Sequence, residues 1–344
     1  MTIDSTFDIR DGLRSRIAQS SAILKTVVLD VSSTEEPDLR RQRSPCLTRR
    51  QQAGHDRATL EWHEIKPWQQ RANCSVKECF YSWTYLHNET INIYSHLLGA
   101  VLYLSLPVIM FVTSIPPRWH IATRLDILAC SSYFLGVGTC FVLSTAFHTL
   151  HPHSSPLYHF LISLDILGIL ALMSSATFPL LHFSFPCHPV PQAMYFILSL
   201  LLSLTCALFI SLPKLRGPEL GPLRAVLFSS FALASFVVPL LHAIWILADA
   251  GGTGEAWDRM ALPWVAGLAG CNALAVGVYG MKFPERYYPR TFDIFGASHQ
   301  LMHIFVLFAA LSYTVGVFRM FDFAHGVHGG CSTSPLSSSS SPIP

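Results

Sequence analysis

Seven stretches of this 344-residue chain are each long and apolar enough to cross a bilayer, and nothing constrains its fold more. They are Tyr94–Val112, Leu125–His148, Pro156–Leu181, Gln192–Leu212, Ala225–Ala248, Met260–Gly280 and Gly296–Phe318. About 20 mainly apolar residues make a spanning helix, because backbone donors and acceptors in hydrocarbon must pair within the segment. Only 13% of the residues are charged, against roughly a quarter in soluble domains. The links are short and rich in turn residues, as in "SIPPRW", "HPHSSP" and "PKLRGPELGP". The pattern predicts an all-α, multi-pass integral membrane protein: one seven-transmembrane helical bundle with no domain between spans. Lipid is therefore its first partner. A net charge of +2 and the lack of a basic run give no sign of nucleic acid. Nine scattered cysteines, several inside spans, do not read as a disulfide scaffold.

The ends differ from the middle. Residues 1–60 are polar and aperiodic and read as a disordered cytosolic arm. Residues 61–93 carry Trp62, Trp68, Phe80, Tyr81, Trp83 and Tyr85, which suit a juxtamembrane segment lying at the lipid interface. The membrane domain covers 94–320, and 321–344 reads as a flexible, Ser-rich tail. The fourth and sixth loops hold Lys214, Arg216, Arg224, Lys282, Arg286 and Arg290, while the odd loops hold only Arg118, Arg124 and Arg259. Positive charge collects on the cytosolic side. The bias puts the N-terminus in the cytosol and the C-terminus outside.

This orientation brings chemistry to one depth. His299 and His303 lie four residues apart at the start of the seventh span, on one helical face. His148 ends the second span. Asp165 lies nine residues past Pro156 in the third, roughly 13 Å along the helix. Four groups from three helices thus meet near the cytosolic end. Three imidazoles and a carboxylate suggest Zn²⁺, and three protein ligands plus a water is the pattern of an open catalytic site. Asp165 reads as a fourth ligand or as a proton acceptor. Ser144, one turn before His148, reads as a group that binds the water or orients the ring, or as a hydroxyl bonded back to its own helix. Such histidines also suit hydrogen bonds to backbone or headgroups. His151, His153, His182, His188, His325 and His328 fall in loops or the tail, where a solvated role is the default.

Three motifs fall in order on these spans: "HNETINIYSHLLGA" at the first, "STAFHTLHPHS" followed by "LDILGI" at the second and third, and "FDIFGASHQLMHIFV" at the seventh. Together they resemble the progestin and adipoQ receptor family, also called haemolysin-III-related proteins, over about residues 60–320. The Ser-rich tail and polar arm resemble a fungal member. The resemblance implies seven helices, a cytosolic N-terminus, a zinc ion held by His148, His299 and His303, and an acid at Asp165. It also implies that Asn88, Glu89, Asn92 and His96 pack at the cytosolic mouth. Where the family commonly has an aromatic and a small residue after the acid, this chain has Ile166 and Leu167.

Two function classes follow from the resemblance. In one, the protein is a zinc-dependent hydrolase of a ceramide amide or another lipid, with Asp165 and Ser144 in the catalytic apparatus and a role in lipid and zinc homeostasis. In the other, the zinc is structural and the protein is a receptor for an extracellular ligand. Zinc transport is the weaker third reading, because no chain of polar residues leads from the site to the far side.

Overall fold

The computed structural model describes residues 74–113, 117–185, 187–212, 220–249, 253–288 and 291–326. The expected disordered arm, Trp62, Trp68, His328 and the end of the tail lie outside the described residues. Within them the chain is helical, without strands. A short helix α1 (Val76–Tyr81) precedes α2 (Thr90–Val108), α3 (Arg124–Leu150), α4 (Ser155–Ser184) and α5 (Pro189–Ser211). Then come α6 (Gly221–Ala232), α7 (Val238–Asp249), the short α8 (Thr253–Arg259), α9 (Leu262–Met281) and α10 (Ser298–Ala324).

Among the described residues, seven helical segments are long and apolar enough to span: Thr90–Thr113, Arg124–Leu150, Ser155–Ser184, Pro189–Ser211, Val226–Asp249, Leu262–Met281 and Ser298–Ala324. They match the seven expected spans with ends moved by a few residues. α10 is the largest extension. It continues past Phe318 because Asp322 on its last turns forms a two-pronged ion pair with Arg118, at 2.7 and 2.8 Å. The fifth span is two helices joined by a widened turn at Leu233–Val237. Pro239 has no N–H to give residue 235, and the extra residue in the turn absorbs that break.

α1 is amphipathic. Ser75 and Glu78 close a capping box at its start, Val76 and Cys79 are buried, and Phe80 and Tyr81 are exposed. Cys74 and Cys187 are each disulfide-bonded, whereas Cys130, Cys140, Cys206 and Cys271 carry free thiols.

Four helices form the inner bundle. In α3, 50% of the spanning window is buried, against 11% in α9. α3 packs most extensively on α4 and α2, and α10 packs on α9 and α2. In α2 the buried positions Asn92, Ile93, His96, Gly99, Ala100, Tyr103 and Leu106 recur at three- and four-residue steps, which is one helical stripe. Small residues let α3 and α4 approach closely: a Cβ on Gly168 would stand 3.1 Å from the Cys140 Cα. Buried tyrosine hydroxyls tie α10 to its neighbours. Tyr103 pairs with Thr314 at 2.9 Å, and Tyr133 and Tyr313 donate to the carbonyls of Ala310 and Ala176, each at 2.9 Å.

Candidate metal centre

The chain alternates direction, so the starts of α2, α4 and α10 meet the end of α3 at one end of the bundle, called proximal here. His148 lies two residues before the end of α3, and His299 and His303 lie on the first two turns of α10. Their rings converge. The Nε2 of His299 lies 3.3 Å from that of His148 and 3.2 Å from that of His303. One ligand atom from each ring lies within 4.8 Å of the others, so the three could hold a metal ion. Two ligands at about 2.0–2.1 Å from a tetrahedral Zn²⁺ stand about 3.3 Å apart. The spacing fits the group.

Donor chemistry points the same way. His148 Nδ1 lies 2.8 Å from Glu89 Oε2. A carboxylate only accepts, so the ring gives its hydrogen to Glu89 and turns a lone pair inward at Nε2. His299 then touches two nitrogens with one Nε2. That atom carries either one hydrogen or one lone pair, and either choice satisfies only one of its two neighbours. A cation among the three satisfies all of them at once.

The two ligand-bearing ends are braced. Glu89 precedes α2, and its carboxylate also accepts from Asn92 Nδ2 at 2.7 Å and Asn88 Nδ2 at 2.9 Å. Burial pushes the Glu89 carboxyl up, but the His148 hydrogen bond and the nearby imidazoles outweigh it and hold the group well below the usual carboxylate range. At the start of α10, Glu285 accepts from the Ser298 backbone N–H at 2.8 Å and from the Ser298 hydroxyl. A negative charge there also complements the helix dipole. Gln300 accepts from Gly296 N at 2.7 Å and donates to the carbonyls of Ile294 and Asn88 at 2.8 and 3.0 Å. Gly296 has φ +88°, a backbone state that suits glycine, so the turn into the histidine helix depends on it.

Asp165 stands on the third helical turn of α4, outside the group of mutually close ligand atoms. Its carboxyl lies beside Ser144, which α3 presents one turn before His148. Ile166 and Leu167 pack against Leu170, Cys206, Ile210 and Phe231, towards α5 and α6. The departure from the family pattern therefore does not reshape the pocket through those two side chains.

Sequence reasoning grouped Glu89, Asn92 and His96 as mouth residues without giving them roles. His96 stacks on His303, with ring centres 3.8 Å apart and planes 22° apart, and neither of its ring nitrogens reaches a hydrogen-bond partner. Glu285 and Gln300 were missed. Gln300 could have been found, since it lies between the two ligands in "SHQLMH". Glu285 carries no signal, because a loop acid is usually solvated. His188 is exposed, as expected. The default failed for His182 and His325. Their Nε2 atoms bond the two oxygens of the buried Asp126 at 2.7 and 3.0 Å, at the opposite, distal end.

The comparisons with known proteins agree with this architecture. The model of the haemolysin-III-related family matches residues 84–314. The chain is 31% identical to the ADIPOR-like receptor IZH2 of Saccharomyces cerevisiae over 281 residues, 78% of this chain and 86% of that one. It is 32% identical to the adiponectin receptor protein of Drosophila melanogaster, over 72% of this chain and 53% of that one. It is 30% identical to heptahelical transmembrane protein 1 of Arabidopsis thaliana, over 76% and 77% of the two chains.

Proposed function

This chain belongs to the haemolysin-III-related family, and from that premise we propose that His148, His299 and His303 hold a zinc ion and that the protein hydrolyses the amide of a ceramide-like lipid. The observation that carries the reading is the convergence of three imidazole nitrogens beside a carboxyl–hydroxyl pair left out of the ligand group. Three neutral ligands with one position open is the pattern of catalytic zinc sites. When bound, zinc supplies Lewis acidity, polarising a carbonyl and acidifying water. Asp165 is the acid–base group: it takes a proton from the attacking water and returns it to the leaving amine. Ser144 holds that carboxyl in orientation. A bilayer substrate needs lateral entry, and α7 and α9 make no substantial contact with each other. The seam between them is the route for the acyl chain.

The names of the relatives favour a second reading. Two of them are called receptors, and a zinc ion at this site would then brace the α2–α3–α10 contact while a ligand acts from the distal side. The positive-charge bias supports a cytosolic N-terminus, with the site near that face. Protease added to the cytosolic side of sealed microsomes should remove an N-terminal tag and spare one after Ser340. The reverse pattern would invert the site.

Asp165→Asn separates enzyme from receptor. The variant keeps the shape of the side chain and removes its basicity. Purified protein should retain zinc while turnover of a ceramide panel falls by about a hundredfold. Zinc-loaded wild type with no turnover above a metal-free control would sink the hydrolase and leave the receptor reading. Loss of zinc together with activity would make Asp165 a ligand.

A further inference from the structure

Glu89 is bonded directly to a candidate ligand, and three observations bear on its task. Its Oε2 accepts from His148 Nδ1 at 2.8 Å. Asn92 and Asn88 supply two more donors to the same carboxylate, at 2.7 and 2.9 Å. Gln300 of α10 donates to the Asn88 carbonyl at 3.0 Å. The acid is thereby fixed relative to α3, through His148, and to α10, which carries the other two imidazoles.

We infer that Glu89 is a positioning residue for the metal: it locks His148 in the tautomer whose Nε2 lone pair faces His299 and His303. The inference rests on the zinc reading above. A free imidazole exchanges its hydrogen between the two nitrogens, and one tautomer blocks the site with an N–H. A carboxylate on Nδ1 removes that tautomer, fixes the ring plane and makes Nε2 a stronger donor to a cation. Asn92 and Asn88 keep the carboxylate aimed at His148. His96 cannot do this work, because its ring stacks on the face of His303.

The test is metal affinity of the full-length protein in detergent, stripped with a chelator and titrated with Co²⁺ by visible absorption, then with Zn²⁺ in competition. Glu89→Gln should weaken binding by about 10- to 100-fold, the range for a lost partner of a metal-bound imidazole. Glu89→Asp should recover part of the loss. Thermal melts discriminate a merely structural role. If Glu89 acts through the metal, the rise in Tm on adding Zn²⁺ shrinks in Glu89→Gln while the metal-free Tm stays near wild type. A structural role lowers both melts equally and leaves the increment unchanged, which overturns the inference. Wild-type affinity in Glu89→Gln, with affinity lost in His148→Ala, overturns it while the zinc reading stands. No His148-dependent binding in the wild type overturns both.

Discussion

The bundle holds a histidine cluster at each end, and the two are built on opposite donor logic. At the proximal end the His299 Nε2 stands 3.3 Å from that of His148 and 3.2 Å from that of His303, and one ligand atom of each ring lies within 4.8 Å of the others. At the distal end His182 and His325 point theirs at one carboxylate, Asp126, which also accepts from the Thr123 backbone N–H at 2.6 Å. Rings that donate to a carboxylate satisfy each other, and the network closes without an added ion. Where one ring nitrogen faces two others, a single hydrogen or lone pair satisfies only one of them. The same residue type therefore makes a clamp at one end and a group that could hold a cation at the other, and the side chain on the far side of each ring differs between them. Distally the clamp joins the start of α3 to the ends of α4 and α10. Proximally Glu89 turns a ring around and opens it to a metal.

Substitutions can break this contrast. The largest effect is expected for the proximal ligands. His148→Ala, His299→Ala or His303→Ala should each take bound zinc from one per chain to near none, read by elemental analysis. They should also remove the stabilisation that zinc gives, about 2.7 kcal/mol at a hundredfold excess over Kd. His182→Ala, His325→Ala and the loop control His188→Ala should leave zinc at one per chain. Equal loss from the distal variants would erase the distinction between the clusters.

Next comes Asp126→Ala. It leaves two ring N–H groups without their acceptor and opens the capping box at Thr123. A loss of about 1–3 kcal/mol should appear as a lower Tm, with zinc content unchanged. A drop in zinc of the same size would mean that the two ends are coupled along α3 and α10. The smallest effect is expected from His182→Ala or His325→Ala alone. Asp126 keeps its remaining donors in each, so the loss should stay near about 1 kcal/mol. If either single variant matched Asp126→Ala, one ring would hold the clamp by itself.

Much of this was legible before any coordinates. Span number and length follow from counting, because a bilayer of fixed thickness demands helices of a set length and polarity. Alternation of direction then put His148, Asp165, His299 and His303 at one depth. The resemblance to a family named the same four. What hydropathy could not supply was phase. In a soluble helix the polar face announces which side is buried. In these helices the lipid-facing and core-facing sides are both apolar, so rotation about the helix axis leaves little trace in the sequence. Rotation is what turns Ile166 and Leu167 towards α5 and α6 and leaves Asp165 beside Ser144.

The remaining features were decided by tertiary contact. Glu89 and His148 are 59 residues apart, His182 and Asp126 are 56 apart, and His325 and Asp126 are 199 apart. Each residue alone reads as an ordinary loop or span-end group. The sequence by itself determined how many helices cross and which end carries the three imidazoles and the acid. Only the packed bundle decided which ring meets a carboxylate and which meets another ring, because a hydrogen bond forms or fails over a few tenths of an ångström and a few tens of degrees.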